Sequence, residues 1–337
     1  MELLTIGTFA RQARLSPKAL RMYDDLGLLS PAAVDAESGY RYYHPEQLER
    51  ASFVGQLRRT GMPLARIRGV VDLPPAEAAA AIRAYWSEVE ADVAARGDLA
   101  AFLVEMLSGR GKIMSALALR YAARTDAGQG RDRNDDFAYA GAQLLAVADG
   151  VHGHEGASAA AVGALSGREA FDLGDLSALA DSAARAVAAL DGDKVTTLTA
   201  LAWDGSRIGV LHVGDSRAYL LRNGVLAQLT QDHSFVQREI DEGKLSAAEA
   251  RSHPQRALLV RALGAPGSEA DLSLRTAIAG DRYLLCSDGL WAVVDDDKLR
   301  DALATGGDPE QTVQRLVTLA YEAGAPDNIA VVVADAV

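Results

Sequence analysis

The chain has 337 residues, 49% of them hydrophobic, which is enough to bury more than one core. A net charge of −12 speaks against a nucleic-acid partner on average. However, residues 1–75 carry ten Lys or Arg against eight Asp or Glu, about +2, which leaves 24 against 38, about −14, for the remainder. The single cysteine, Cys286, excludes an internal disulfide framework and a thiolate-rich metal site, and within "YLLCSDGL" it reads as core filler. No long uncharged apolar run resembles a membrane span and "MELLTIGTFARQ" is not a signal peptide, so a cytoplasmic protein without a membrane partner is expected. The preference for arginine over lysine and the abundance of alanine hint at a GC-rich bacterial source.

Thr5 is placed to cap a first helix whose apolar positions Ile6, Phe9, Ala10 and Ala13 follow a helical stripe. Ser16 then reads as a second N-cap, Pro17 suits the first helical position, Leu20 and Tyr23 face inward, and Gly27 ends the helix. Two short helices meeting near Arg14-Leu15 form a helix-turn-helix, with Lys18 and Arg21 available to phosphates or base edges; a small helical pair with a solvated basic face is the alternative. The winged segment Gly39-Tyr40-Arg41-Tyr42-Tyr43, succeeded by "LERASFVGQLRRTGMPLARI", completes a pattern that resembles the MerR family of transcription regulators over roughly residues 3–73. The resemblance implies binding to double-stranded promoter DNA, with Tyr40 and Arg41 on the backbone. The family's usual tyrosine pair reads Met22-Tyr23 here, so Tyr23 is the remaining phosphate contact expected from that pair.

After Pro74-Pro75, Ile82, Trp86, Val89, Val93, Ala100, Leu103 and Leu107 recur at three- and four-residue steps, a coiled-coil-like seam weakened by Gly97. MerR-like proteins dimerise through such a helix, which implies a homodimer through residues 76–107; a helix packed on its own domain is the alternative. Residues 108–116 read as a linker.

Beyond it, β-like runs alternate with helical stretches, and acids recur where apolar strands end or begin. "LLAVADG" delivers Asp149, "GVLHVGDSRAYLL" Asp215, "DRYLLCSDGLW" Asp288, and "APDNIAVVVADAV" Asp327. Asp-Gly alone is usually a turn. "GRDRNDDFAY" adds Asp135 and Asp136 close after Arg131, and so many carboxylates in one place require a cation, because like charges repel and raise one another's pKa. Carboxylate oxygens favour Mg²⁺ or Mn²⁺, whereas the H-x-H pair His152 and His154 lies in a glycine-broken loop unsuited to zinc.

The motifs "RNDDFAY", "LAVADGVHGH", "TTLTALAW", "HVGDSRAYLLRNG", "LTQDHSFVQ", "SHPQRALLVRALG", "GDRYLLCSDGL" and "PDNIAVVV" resemble, in family order, the PPM (type-2C) metal-dependent protein serine/threonine phosphatases. The resemblance runs from about Leu117 to the C-terminus. The expected chain is therefore multidomain: a winged helix-turn-helix (1–75), a dimerisation helix (76–107), a linker (108–116) and an α+β sandwich in α-β-β-α layers (117–337). The resemblance implies two Mn²⁺ or Mg²⁺ ions and a third, weaker one. Asp149 bridges the pair, the Gly150 carbonyl adds an oxygen, Asp288 and Asp327 complete the other ion, and Asp135 takes a slot usually held by Glu. Asp136 orients a water at the metals, Asp215 helps Asp288 hold the third ion, and Arg131 clamps the substrate phosphate. The implied substrates are phosphoserine and phosphothreonine proteins, products of a Ser/Thr kinase, and residues 231–256 match a flap beside the active site of bacterial members.

The chain also departs from the family in the loop beside the metals and in the Gly-Thr-Thr motif. The loop after Gly150 reads Val-His-Gly-His-Glu-Gly, and the Gly-Thr-Thr motif reads Val195-Thr196-Thr197. Val151 cannot donate a proton where some eukaryotic members carry a histidine, so His152, His154 or a water would serve as general acid. The altered loop keeps open a second reading, a transcription regulator whose phosphatase-like domain is a weak or inactive sensor.

Overall fold

The computed structural model describes residues 3–86, 89, 93, 97, 100 and 117–337, apart from 152, 153, 155, 169, 170, 172, 193, 206 and 243. The chain divides into two compact units, Met1–Ser87 with Val236–Arg256, and Glu88–Phe235 with Ala257–Val337. Residues 236–256, within the segment 231–256 expected as a flap, group with the first unit.

In the first unit, α1 (Ile6–Ala13) and α2 (Pro17–Asp25) begin at the expected caps: the Thr5 hydroxyl accepts the Thr8 N–H and the Ser16 hydroxyl accepts the Ala19 N–H. Strands β1 (Leu4–Thr5), β2 (Ala33–Val34) and β3 (Arg41–Tyr43) form a small antiparallel sheet with β3 central. Helices α3 (Gln47–Arg59) and α4 (Leu64–Val70) close a core of Phe9, Leu20, Leu28, Tyr43, Val54, Met62 and Ile67, in which the Phe9 and Tyr43 rings stack at 4.6 Å. A further helix, α5, covers 75–86 and packs Ile82 and Tyr85 against this core. Of the expected dimerisation seam, Leu103 and Leu107 lie outside the described residues.

The second unit is built on two five-stranded antiparallel sheets. One has the order β10 (Val225–Gln228), β9 (Arg217–Arg222), β12 (Arg282–Cys286), β13 (Ile329–Ala336), β4 (Leu119–Asp126). The other runs β11 (Asp271–Thr276), β8 (Arg207–Val213), β7 (Leu198–Trp203), β6 (Leu144–Ala148), β5 (Phe137–Ala140). Strand β6 is apolar and buried at every position because both of its faces are covered. In β6, Leu145 and Val147 face a core shared with Tyr283 and Leu285 of β12 and Ala330 and Val332 of β13. The alternate residues Leu144, Ala146 and Ala148 pack with α6 (Ala157–Ser166) and α7 (Leu176–Ala188). On the other sheet, Leu284, Cys286, Val331 and Val333 pack with α10 (Asp288–Trp291), α11 (Asp296–Thr305) and α12 (Pro309–Glu322). Cys286 is fully buried and burial pushes its thiol well up, so it is inert filler, as its apolar setting indicated. Among the described residues no helix is long and apolar enough to cross a membrane.

Candidate active site

Strand direction gathers the acids. Phe137 pairs with Ala148 and Cys286 with Val331, so the starts of β5 and β13 lie beside the ends of β6 and β12. Asp135, Asp149, Asp288 and Asp327 therefore emerge at one end of the sandwich, joined by Asp215 from the turn between β8 and β9. These five carboxylates, with Gly150 and Arg131, line one open cavity of about 620 Å³ that also exposes Val151, Thr197, Leu259 and Asn328. Asp136 is buried beside it, and its Oδ2 has no hydrogen-bond partner.

Electrostatics agree with the geometry. Burial, then the charges of Asp136, Asp288 and Asp215, raise the Asp149 carboxyl well above the usual range. Burial and Asp288 do the same to Asp215, and burial and Asp327 raise Asp288. Asp136 is pushed up to about 7, by burial first and then by Asp288 and Asp327, against a hydrogen bond from Ser287 that lowers it. A protein retains such a group of destabilised carboxylates only when something positive belongs among them. Among the described residues no three acidic, imidazole or thiol groups already close around one ion-sized point. One reason is visible at Asp327, whose two oxygens are taken by the Arg131 fork at 2.7 and 2.8 Å. The donor set, all carboxylate oxygen with an unpartnered buried acceptor at Asp136, fits hard divalent ions.

Sequence reasoning missed the residues that hold the acids in place. Thr197 accepts the Asp149 N–H at 2.8 Å and lies 2.8 Å from the Ser216 hydroxyl, while the Thr196 hydroxyl donates to the Asp149 carbonyl at 2.7 Å. The altered Val195-Thr196-Thr197 motif thus keeps both hydroxyls that grip Asp149. Asn328 accepts the Asp135 N–H at 2.9 Å and donates to the carbonyls of Ala127 and Arg133. Ser158 donates to the Asp135 carbonyl at 2.6 Å. The pair Asp-Asn before β13 was the available signal for Asn328. At Gly150 a Cβ would stand 2.3 Å from the Asp135 carbonyl oxygen, so only glycine lets these two chain segments meet.

The remaining expectations fall unevenly. The Val195 N–H donates to His154 Nδ1 at 3.1 Å, and His154 is not among the residues lining the cavity, so the ring braces the rebuilt loop. His152 lies outside the described residues. In the first unit Lys18, Arg21 and Tyr40 are exposed. Arg41 pairs with Asp24 at 2.7 Å, which ties the wing to α2. Tyr23 requires a correction: it is 3% exposed within the helical core, and burial raises its hydroxyl pKa, so it is not presented to a DNA phosphate. The inward stripe that places Leu20 also turns Tyr23 inward, and the exposed neighbour is Met22.

Comparison with known proteins places both regions. Residues 4–73 match the MerR helix-turn-helix regulatory protein model, and residues 142–239 match the protein phosphatase 2C model. Over 237 residues the chain is 48% identical to the serine/threonine protein phosphatase PstP of Mycobacterium tuberculosis, covering 66% of this chain and 46% of that protein. The chain thus spans about half the length of that relative. A crystal structure of the PstP catalytic domain in complex with two manganese ions matches with a TM-score of 0.60 at 45% identity, covering 66% of this chain and 99% of that one. A putative protein phosphatase 2C-type protein of Streptococcus pyogenes is 30% identical, with 63% of this chain and 96% of that protein aligned. The chain belongs to the protein phosphatase 2C (PPM) family of serine/threonine phosphatases and carries a MerR-type helix-turn-helix domain at its N-terminus.

Proposed function

We propose that the chain is a metal-dependent protein serine/threonine phosphatase joined to a DNA-binding transcription regulator. The observation that carries the enzymatic part is the convergence of Asp135, Asp149, Asp215, Asp288 and Asp327 on one cavity beside Arg131. Asp149 with Asp135 and the Gly150 carbonyl, and Asp149 with Asp288 and Asp327, would hold two Mn²⁺ or Mg²⁺ ions, as the two-manganese PstP structure encourages; Asp215 with Asp288 would serve a third. Two such ions supply Lewis acidity, lowering the pKa of an attacking water and offsetting phosphoryl charge.

The chain's own residues do the rest. Asp327, paired with Arg131 at 2.7 and 2.8 Å, would be shared with a metal when one is bound, and Arg131 has the planar fork that would take two oxygens of a phosphoserine or phosphothreonine. Thr196, Thr197, Asn328 and Ser158 fix the main chain of Asp149 and Asp135, so the carboxylates cannot recede from one another. Asp136, whose carboxylate form a nearby cation would favour, would accept from the attacking water and take its proton. Leaving-group protonation falls to His152 or to solvent, since Val151 has no proton to give.

Turnover of a phosphothreonine peptide in Mn²⁺, with and without chelator, tests the reading; the absence of chelator-sensitive hydrolysis would remove the enzyme. The N-terminal part of the proposal has Lys18, Arg21 and Tyr40 of a cytoplasmic homodimer, paired through residues 76–107, contacting promoter DNA. Gel shifts on the region upstream of its own gene test that part, with a steep salt dependence expected.

A further inference from the structure

The stretch "LTQDHSFVQ" has no role in the mechanism above, yet it supplies a side chain with every polar atom engaged. His233 is 4% exposed. Its main-chain N–H donates to the Gly214 carbonyl at 2.7 Å, and its carbonyl accepts the Val260 N–H at 2.8 Å. Its ring Nδ1 accepts the Gly214 N–H at 3.1 Å. A nitrogen that accepts carries no proton, so the ring proton lies on Nε2 and donates to Asp271 Oδ2, 3.1 Å away. Asp271 is held in turn by Arg261 at 2.8 Å, and the His212 ring packs on the His233 ring at 4.7 Å.

Gly214 is the residue before Asp215. Its φ of +108° and a hypothetical Cβ 2.5 Å from Thr197 exclude any other amino acid, so the turn between β8 and β9 has a conformation that glycine alone permits but does not by itself enforce. His233 enforces it by bonding to both the N–H and the carbonyl of Gly214. We propose that His233, oriented by Asp271, is the positioning residue for Asp215: it locks the Gly214 peptide and so aims the Asp215 carboxylate into the metal cavity. The Val260 bond fixes, by the same residue, the main chain next to Leu259 in the cavity wall. The proposal rests on the reading of Asp215 as a metal ligand.

The test uses the full chain and three variants. His233→Phe keeps the ring volume and removes both nitrogens; His233→Asn puts an amide oxygen close to the place of Nδ1; Asp271→Ala removes the orienting acceptor. Calorimetric Mn²⁺ titration, amide hydrogen exchange of the segment holding Gly214, and phosphopeptide kinetics are measured for each. For His233→Phe the weakest Mn²⁺ affinity falls by about 10- to 100-fold, the usual size for loss of an outer partner of a metal ligand. The Gly214 amide loses protection, and kcat falls with KM unchanged, because Arg131 is untouched. His233→Asn recovers most of the Mn²⁺ affinity, and Asp271→Ala shifts it in the same direction as Phe by a smaller factor. Should His233→Phe fail to fold, Asp271→Ala and His233→Asn give the reading alone. Unchanged Mn²⁺ binding and Gly214 exchange in the folded variants overturn the proposal, as does an Asn variant no better than Phe. A wild-type chain that binds Mn²⁺ without turning over peptide overturns the enzymatic reading and leaves the clamp to be judged by binding and exchange.

Discussion

The acid cluster makes an unusual claim about stability: removing a charge from the site should strengthen the metal-free protein. Asp136 is the cleanest case, since it is buried, one oxygen lacks a partner, and its pKa rises from 3.8 to about 7. A carboxyl whose folded pKa exceeds its unfolded value favours folding when protonated, and that contribution is lost as pH climbs from the unfolded pKa through the folded one. With these two values, ionisation costs the folded state about 1 kcal/mol at pH 4.5 and about 4 kcal/mol at pH 8, at 1.36 kcal/mol per pKa unit. Asp136→Asn keeps the shape and abolishes the titration. The buried amide brings a pH-independent cost of its own, on the order of 1–3 kcal/mol. The discriminating quantity is therefore the change with pH: in chelator, the variant should gain on the order of 3 kcal/mol on wild type between pH 4.5 and pH 8, a gain it shares with Asp149, whose carboxyl the Asp136 charge also raises. Urea unfolding followed through Trp203 and Trp291 fluorescence at four or five pH values measures it. Excess Mn²⁺ should reverse the order, because the wild-type charge then has a partner. A difference between the two proteins that stays flat across this range would refute the reasoning.

Other consequences are as direct. Arg131→Ala should raise KM for a phosphothreonine peptide by roughly 10- to 100-fold, the worth of charge-assisted hydrogen bonds to phosphate, and Arg131→Lys should recover part of it, as steady-state kinetics will read. His212 is held neutral, its pKa lowered to about 4 by burial and by His233, so the folded state should lose up to about 3 kcal/mol as pH falls from 6.5 through 4. Comparing acid unfolding of wild type with His212→Gln checks that limb, which the variant lacks. Lys18→Ala and Arg21→Ala should each flatten the slope of log K against log salt by about one unit on promoter DNA without altering phosphatase rates. A Tyr23→Phe variant should bind DNA as wild type does, since that hydroxyl is buried.

Much of the site was legible because acids at the ends of apolar strands are a local signal. Asp149, Asp215, Asp288 and Asp327 each interrupt or precede a run that can only be buried, and eight motifs in order named the family. The caps at Thr5 and Ser16 were equally local, being a side chain three residues from the N–H it accepts. The supporting groups were less accessible. Asn328 reaches Asp135 across 193 positions, and Thr197 reaches Asp149 across 48. Nothing in periodicity announces a hydrogen bond made by strand pairing. Tyr23 shows a different limit, since family analogy assigned it to DNA while its own helical stripe assigned it to the core, and packing obeyed the stripe.

The sequence by itself determined which acids and which arginine enter the candidate site, and the chain order of the strands that carry them, because the breaks in buried apolar runs mark the strand ends. Only the tertiary structure decided which ends meet, that Arg131 lies on Asp327, and that His233 closes on Gly214. Those facts depend on the register of antiparallel strands and on close packing between segments far apart in the chain, where energies of a few kcal/mol are settled by geometry that residue identity does not encode.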